Sequence, residues 1–233
     1  MTRVLIHGAG RMARRVRALV PGFEGFELLG MISRIRPENG SATEWFGSLE
    51  NADASADLLI DFTLPGGTRV AADWCAANEV AILSGTTGLT GDDISALESA
   101  ATKVPVLWAS NLSEGVALTT ALVRQAAGSL SVDTKVSISD IHHQHKKDAP
   151  SGTALSLSAA VTEARSKGLC TSSATEVDEP AFSSRREGEV IGEHTVSFEL
   201  PVEIIEFTDR ALYRDVFAWG SLKAGIWLVS VER

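Results

Sequence analysis

Short apolar runs at residues 3–7, 27–32, 57–62, 80–84 and 106–109 punctuate the first 111 positions, and longer alanine-rich segments separate them. Runs of this length, bounded by glycine and polar residues, read as buried strands. The intervening stretches 12–19, 67–78 and 92–102 place apolar residues at helical spacing. Strands that alternate with helices pair in parallel, because each crossover has to return the chain to the same edge of the sheet. The front half is therefore expected to form a parallel sheet covered by helices.

Beyond Asn111 the texture changes. A helix is expected from about Glu114 to Ala127, then a strand in which Thr134, Val136 and Ile138 alternate, then a second helix from Gly152 and strands at 195–200 and 202–208. The segment 169–189, rich in Ser, Thr, Glu and Arg, lacks periodicity and reads as a long mobile loop. In the tail, Leu212, Val216, Trp219, Leu222, Ile226 and Trp227 recur as one helical stripe over 211–229, expected to pack back on the first domain.

The 233 residues can bury a core without staples. Cys75 and Cys170 match no metal or redox spacing and read as reduced thiols, which suits a cytoplasmic protein. The opening apolar run is too short for a secretory signal, and no stretch approaches the roughly 20 apolar residues of a membrane helix. A net charge of -9 argues against nucleic acid as a partner, since phosphate binding needs clustered excess cations. The basic cluster from His142 to Lys147 instead points to a small anionic ligand.

Gly8, Ala9, Gly10, Arg11 and Met12 follow the first strand and open a helix, a setting in which backbone N–H groups hold a pyrophosphate; a plain strand-to-helix turn is the alternative. Ala13 stands where a third glycine would complete the fingerprint. The second strand ends on Ser33, Arg34 and Arg36 rather than on a carboxylate, which suits a phosphomonoester and predicts NADPH to be accepted at least as well as NADH, unless this is a solvated loop. Asp61-Phe62-Thr63 and Gly85-Thr86-Thr87-Gly88 fall where strands should end, and their small side chains leave room for a nicotinamide ribose. Thr86 and Thr87 serve equally well as caps of the next helix.

The densest feature is His142-His143-Gln144-His145-Lys146-Lys147-Asp148-Ala149-Pro150-Ser151-Gly152-Thr153-Ala154, which holds three of the five histidines between a strand and a helix. Pro150 fixes the turn, Ser151 can cap, and the N–H groups of Gly152 and Thr153 point out of the helix start toward an anion such as a carboxylate. A neighbouring histidine and lysine can then act on that ligand. His143 and His145 have the spacing of paired metal ligands, but Lys146 and Lys147 oppose a divalent cation, so no metal is expected.

The run from His142 to Ala154 resembles the signature of the 4-hydroxy-tetrahydrodipicolinate reductase family. The same family's patterns are resembled, in order, by Gly8 to Met12, Asp61 to Thr63, Gly85 to Gly88, the interdomain stretch Ala109-Ser110-Asn111-Leu112-Ser113, Gly192-Glu193-His194 and Arg214 to Gly220. The resemblance implies a Rossmann-like α/β domain, 1–111 plus 212–233, completed by the final helix, and a smaller α+β domain, 112–211, with an open mixed sheet that builds a homotetramer. It implies hydride transfer from NADPH or NADH to a cyclic unsaturated dicarboxylate on the route to lysine. By position, His142 is the proton donor or acceptor and Lys146 a second donor. His143, Gly152 and Thr153 hold the substrate carboxylates, and the cofactor is held by Gly8 to Met12, Ser33, Arg34, Gly85, Thr86, Thr87 and Ala109 to Leu112. The chain departs from the pattern at Ala13, at Asp140, where Glu is common, and at Asp209, where His is frequent.

Overall fold

Val4 and Ile6 face one side of a parallel sheet and Leu5 the other, all three fully buried, and this double burial follows from strands that read as unbroken apolar runs. The computed structural model describes residues 1–36, 45–167 and 178–231. The chain divides into two compact units, one made of Met1–Ser113 with Asp215–Arg233 and the other of Glu114–Arg214.

In the first unit the strands are β1 (Thr2–His7), β2 (Phe26–Ile32), β3 (Trp45–Phe46), β4 (Leu58–Asp61), β5 (Ala81–Ser84) and β6 (Val106–Trp108). They pair in parallel in the order β3-β2-β1-β4-β5-β6. This is the Rossmann-like arrangement expected, with β3 too short to be seen as a run. Helices α1 (Arg11–Leu19), α2 (Gly67–Asn78) and α3 (Gly91–Ala101) make the crossovers. One face of the sheet buries Val4, Ile6, Leu58 and Ile60 with Ala13 and Val16 of α1, and the other buries Leu5, Leu59 and Ile82 with Ala71 and Cys75 of α2 and Leu97 of α3.

The last helix belongs to this unit, as the tail predicted, but it is Val216–Ser230, and Leu212 stands exposed before it. Its buried residues are Ala218, Gly220, Ser221, Leu222, Gly225 and Leu228, whereas Trp219 and Trp227 remain partly exposed. Close approach explains why small residues share the buried face with Leu222: a Cβ on Gly225 would stand 2.6 Å from Leu58 Cδ2. We number this helix α6.

The second unit has α4 (Glu114–Ser129), β7 (Lys135–His142), α5 (Gly152–Lys167), β8 (Ala181–Arg186), β9 (Glu193–Glu199) and β10 (Ile204–Arg210). Its sheet is mixed, in the order β10-β9-β7-β8, with β7 and β8 parallel and the other pairs antiparallel. Val136, Ile138, Val196 and Phe198 face α4 and α5 and pack on Val123, Leu157 and Val161. The other face is polar, with contacts Thr195–Thr208 at 2.9 Å and Ser197–Glu206 at 2.8 Å. The expected loop at 169–189 is in part a strand: residues 169–177 lie outside the described residues, but 181–186 form the edge strand β8. Its exposure on both faces removes the alternation that would have revealed it.

Among the described residues no helix is long and apolar enough to cross a membrane.

Candidate active site

The register of the first sheet sets Ile32, His7, Asp61, Ser84 and Trp108 in one row across β2, β1, β4, β5 and β6. The row is the carboxyl edge of the sheet, where open α/β sheets receive ligands. Gly8 continues β1 past it with φ +115°, and a Cβ there would lie 2.6 Å from the carbonyl oxygen of Phe62, so only glycine lets the two turns approach so closely. Helix α1 then begins on Gly10 with no side-chain cap and no acidic residue in its first turn. That start suits an anion, because neither a capping oxygen nor a carboxylate competes for its N–H groups.

Asp61 ties the neighbouring turns together. Its fully buried carboxylate accepts hydrogen bonds from Thr63 Oγ1 (2.8 Å), Thr68 Oγ1 (2.7 Å), Ser84 Oγ (2.8 Å) and Thr86 Oγ1 (3.0 Å), and His7 Nδ1 stands 3.2 Å away. Burial alone would raise its pKa, but the His7, Thr68 and Thr63 contacts hold it below the ordinary carboxylate value. Thr86 in turn accepts from the Thr63 N–H at 3.1 Å, and its carbonyl accepts from the Trp108 indole at 3.0 Å. The cap of α3 is Thr90, in a capping box with Asp93, so the capping alternative for Thr86 and Thr87 falls away.

The other residues singled out for a cofactor fall on the same edge. Ala109 extends β6, its N–H donating to Ser84 O at 3.1 Å, and Ser110 is exposed after it. Asn111 Oδ1 accepts from the Ser113 N–H at 2.9 Å, and Leu112 is buried. Gly85 follows β5 and Thr87 is exposed. Arg34 is exposed past β2, whereas the Ser33 hydroxyl donates to the Ile35 carbonyl at 2.7 Å and the Trp45 indole donates to the Ser33 carbonyl at 3.1 Å. The Ser33 hydroxyl proton is thus committed within its own loop.

In the second unit, His142 ends β7 and Ser151 precedes α5. The Ser151 N–H donates to Asp140 Oδ2 at 2.9 Å, and its Oγ accepts from the Ala154 N–H at 3.2 Å, making it the cap expected. Gly152 and Thr153 therefore open α5 beside the end of β7. His143 is half-buried, its ring 6.2 Å from that of His145, and Lys146 Nζ pairs with Asp148 at 2.7 Å.

A buried polar cluster lies behind these residues. Asp140 Oδ1 stands 2.6 Å from His142 Nδ1, a close contact bent away from a linear hydrogen bond. Arg186 Nη2 and Ser184 Oγ both reach Asp140 Oδ2 at 3.2 Å. His194 Nε2 is 3.2 Å from Ser151 Oγ, and the rings of His142 and His194 meet edge to face at 5.1 Å. Burial pushes the His142 imidazolium below its ordinary pKa, and Lys146 and Arg186 add to this while Asp140 opposes it. His194 is driven to about 4, chiefly by burial. Asp140 itself stays below the usual carboxylate range, because the Ser151 N–H and Arg186 outweigh the cost of burying it.

Asp140, His142 and His194 offer ligand atoms within 4.8 Å of one another. The Arg186 guanidinium already occupies the Asp140 carboxylate, so a divalent ion would enter against a fixed positive charge. Sequence reasoning passed over this cluster as a unit because its members come from three strands. One signal was available: along β7 the inward positions read Val136, Ile138, Asp140, His142, and along β9 His194, Val196, Phe198. Charged or polar residues at inward positions mark a site.

The chain matches the dihydrodipicolinate reductase N-terminal family model over residues 2–112 and the C-terminal model over 115–233. It is 40% identical to the 4-hydroxy-tetrahydrodipicolinate reductase of Zymomonas mobilis, covering 96% of this chain and 90% of that one, and 38% identical to that of Xanthomonas euvesicatoria, covering 97% and 92%. A dipicolinate-bound dihydrodipicolinate reductase from Paenisporosarcina sp. TG-14 shares the fold, with TM-score 0.83, 24% identity and coverage of 98% and 94%. With both halves matched in order, the chain belongs to the dihydrodipicolinate reductase family.

Proposed function

We propose that the chain reduces 4-hydroxy-tetrahydrodipicolinate to tetrahydrodipicolinate with NAD(P)H, in the diaminopimelate route to lysine, and that the residues described above divide the work. The observation that supports this reading is that β7, which ends on His142, is tied through Asp140 to the Ser151 cap of α5, with His143 and Lys146 in the connecting loop, in a chain whose two halves both match the family.

The first unit, in this reading, holds the dinucleotide. Gly8 to Met12 cradle its pyrophosphate at the start of α1, Gly85, Thr86 and Thr87 take the nicotinamide side, and Ala109 to Leu112 line the same edge. Arg34 takes a 2′-phosphate through its guanidinium fork, and Ser33 only shapes the loop because its hydroxyl is already bonded. NADPH is then used at least as well as NADH. When bound, the cofactor supplies the hydride.

The second unit holds the dicarboxylate. His143 and the N–H groups of Gly152 and Thr153 bind its carboxylates, and Lys146 stabilises negative charge that develops on the reduced system. His142 delivers a proton from Nε2. Its lowered pKa leaves it mostly neutral in the free protein, and the charge of a bound dicarboxylate pulls it back toward the imidazolium that can act as acid. The open polar face of this unit's sheet provides the contacts of a homotetramer working in the cytoplasm.

A coupled assay tests the reading: the substrate is generated from pyruvate and aspartate semialdehyde by the preceding synthase, and nicotinamide absorbance is followed. Synthase-dependent oxidation that falls by about a hundredfold or more in His142→Gln is expected. Wild-type turnover in that variant would remove His142 from the role of acid.

A further inference from the structure

We propose that Asp140 is the positioning residue of this site, a single buried carboxylate that aims His142 and at the same time anchors the start of α5 where the substrate carboxylate docks. The inference rests on the reading of His142 as proton donor.

The two oxygens of Asp140 face different groups: Oδ2 is held by hydrogen bonds, and Oδ1 stands against His142 as a close charge contact. Oδ1 faces His142 Nδ1 at 2.6 Å, while Oδ2 accepts from the Ser151 N–H at 2.9 Å and from Arg186 Nη2 and Ser184 Oγ at 3.2 Å. Ser151 is the cap of α5, so the same side chain fixes both the imidazole and the helix start. Arg186 also donates to the carbonyl of Asp148, which ties down the loop that carries Lys146. Asp140 is fully buried and therefore acts through these groups rather than on a ligand.

The consequence for His142 is a defined tautomer. A carboxylate facing Nδ1 favours a proton there, so the neutral ring presents Nε2 as a base and the imidazolium presents Nε2–H as the acid. After the proton leaves Nε2, the ring returns to the same neutral tautomer, and no rotation is needed between turnovers. Of the charged and titratable groups facing His142, namely Asp140 on its own strand, Lys146 from the following loop, Arg186 of β8 and His194 of β9, only Asp140 supports the imidazolium. His194, neutral at pH 7, closes the far side of the ring and bonds with Ser151 rather than competing for the proton.

The test compares Asp140→Asn, Asp140→Glu and His142→Gln in the coupled assay across pH. Asp140→Asn is expected to lower kcat about a hundredfold while KM for the dicarboxylate moves no more than about threefold, because the amide oxygen can still accept from the Ser151 N–H and keep the start of α5 in place. The alkaline limb of its kcat profile, set by His142 as acid, should shift to lower pH, because the charge that supports the imidazolium is gone. Asp140→Glu should recover most of the loss. If Asp140→Asn keeps wild-type kcat and an unshifted limb while His142→Gln is crippled, the positioning role is overturned and the acid role stands. If His142→Gln is as active as wild type, the underlying reading fails and this proposal with it. Should Asp140→Asn not fold, nitrogen-15 NMR of the wild-type histidines decides: the neutral His142 ring protonated on Nδ1 supports the proposal, and protonation on Nε2 overturns it.

Discussion

Gly192 lies against the ring of His142, so that a Cβ built on it would stand 3.1 Å from Nε2 and 3.5 Å from Cδ2. Nδ1 faces Asp140, so Nε2 is the nitrogen left to exchange a proton with a ligand, and Gly192 is the residue that keeps it clear. Gly192→Ala should push the ring by a few tenths of an ångström. We expect kcat to fall about tenfold, since a displacement near 1 Å costs about a hundredfold. A thermal melt of the variant should remain close to that of wild type, because the added methyl meets a side chain that can shift. Unchanged kcat would mean that Nε2 is not the working nitrogen.

Asp61 offers a second test, in the other unit. Its carboxylate serves four hydroxyl donors and faces His7 without contact with solvent. Asp61→Asn replaces one acceptor oxygen by a donor and leaves buried hydroxyls without a partner. The expected cost is about 2 kcal/mol in urea unfolding. NADPH binding, followed by nucleotide fluorescence, should weaken as well, because Thr63 and Thr86 would lose the group that fixes their turns.

What the sequence revealed, and what it hid, follows from how local each signal was. Unbroken apolar runs disclosed the parallel sheet because both of its faces are buried, and His142 to Ala154 disclosed a site because its chemistry is contiguous in the chain. Strand β8 stayed hidden because neither of its faces is buried, so no alternation was imposed on it. The face that α6 buries was read in part: Leu222 of the bulky stripe is buried and Trp219 packs edge-on against Phe23, but close packing on the sheet also selected Ala218, Gly220, Ser221 and Gly225, which bulk as a guide passes over. The link from Asp140 to Arg186 and His194 is made by strand register, with Asp140 opposite His194 on β9 and Ser184 on β8, and register is not written in any one segment.

His194 makes stability depend on pH in a defined window. Its folded pKa of about 4 lies below the ordinary value near 6.5, because burial and the neighbouring His142, Lys146 and Arg186 disfavour its charge. The unfolded chain therefore binds the proton first. Stability is fully present above about pH 6.5 and is lost as pH falls toward 4, by about 3 kcal/mol for a shift of this size. Chemical unfolding at pH 7.5 and pH 4.5 should show the loss, and His194→Gln should remove most of it. The fall due to Asp140 follows at lower pH, since its depressed pKa contributes stability that persists until the pH drops below the ordinary carboxylate range. A wild-type protein equally stable at the two pH values would show that His194 is not held neutral.

Gly220 brings α6 close against the backbone at Leu112 within the first unit. A Cβ at this position of α6 would lie 1.7 Å from the carbonyl oxygen of Leu112 and 2.8 Å from its carbonyl carbon, and neither atom belongs to a flexible side chain that could turn aside. Gly220→Ala must therefore move the helix or the strand-end segment that carries Leu112. Helix propensity favours alanine by about 1 kcal/mol, but forcing backbone apart in a packed core costs about 3 kcal/mol. The clash wins. We expect a net loss of about 2 kcal/mol or more in urea unfolding and weaker NADPH binding, because Ala109 to Leu112 would move with the displaced segment. Gly91→Ala, at an exposed position in the first turn of α3 where an added Cβ would meet nothing within 4 Å, is the control and should be neutral or slightly stabilising. Equal stability of the two variants would show that α6 does not approach Leu112 as closely as the structure places it.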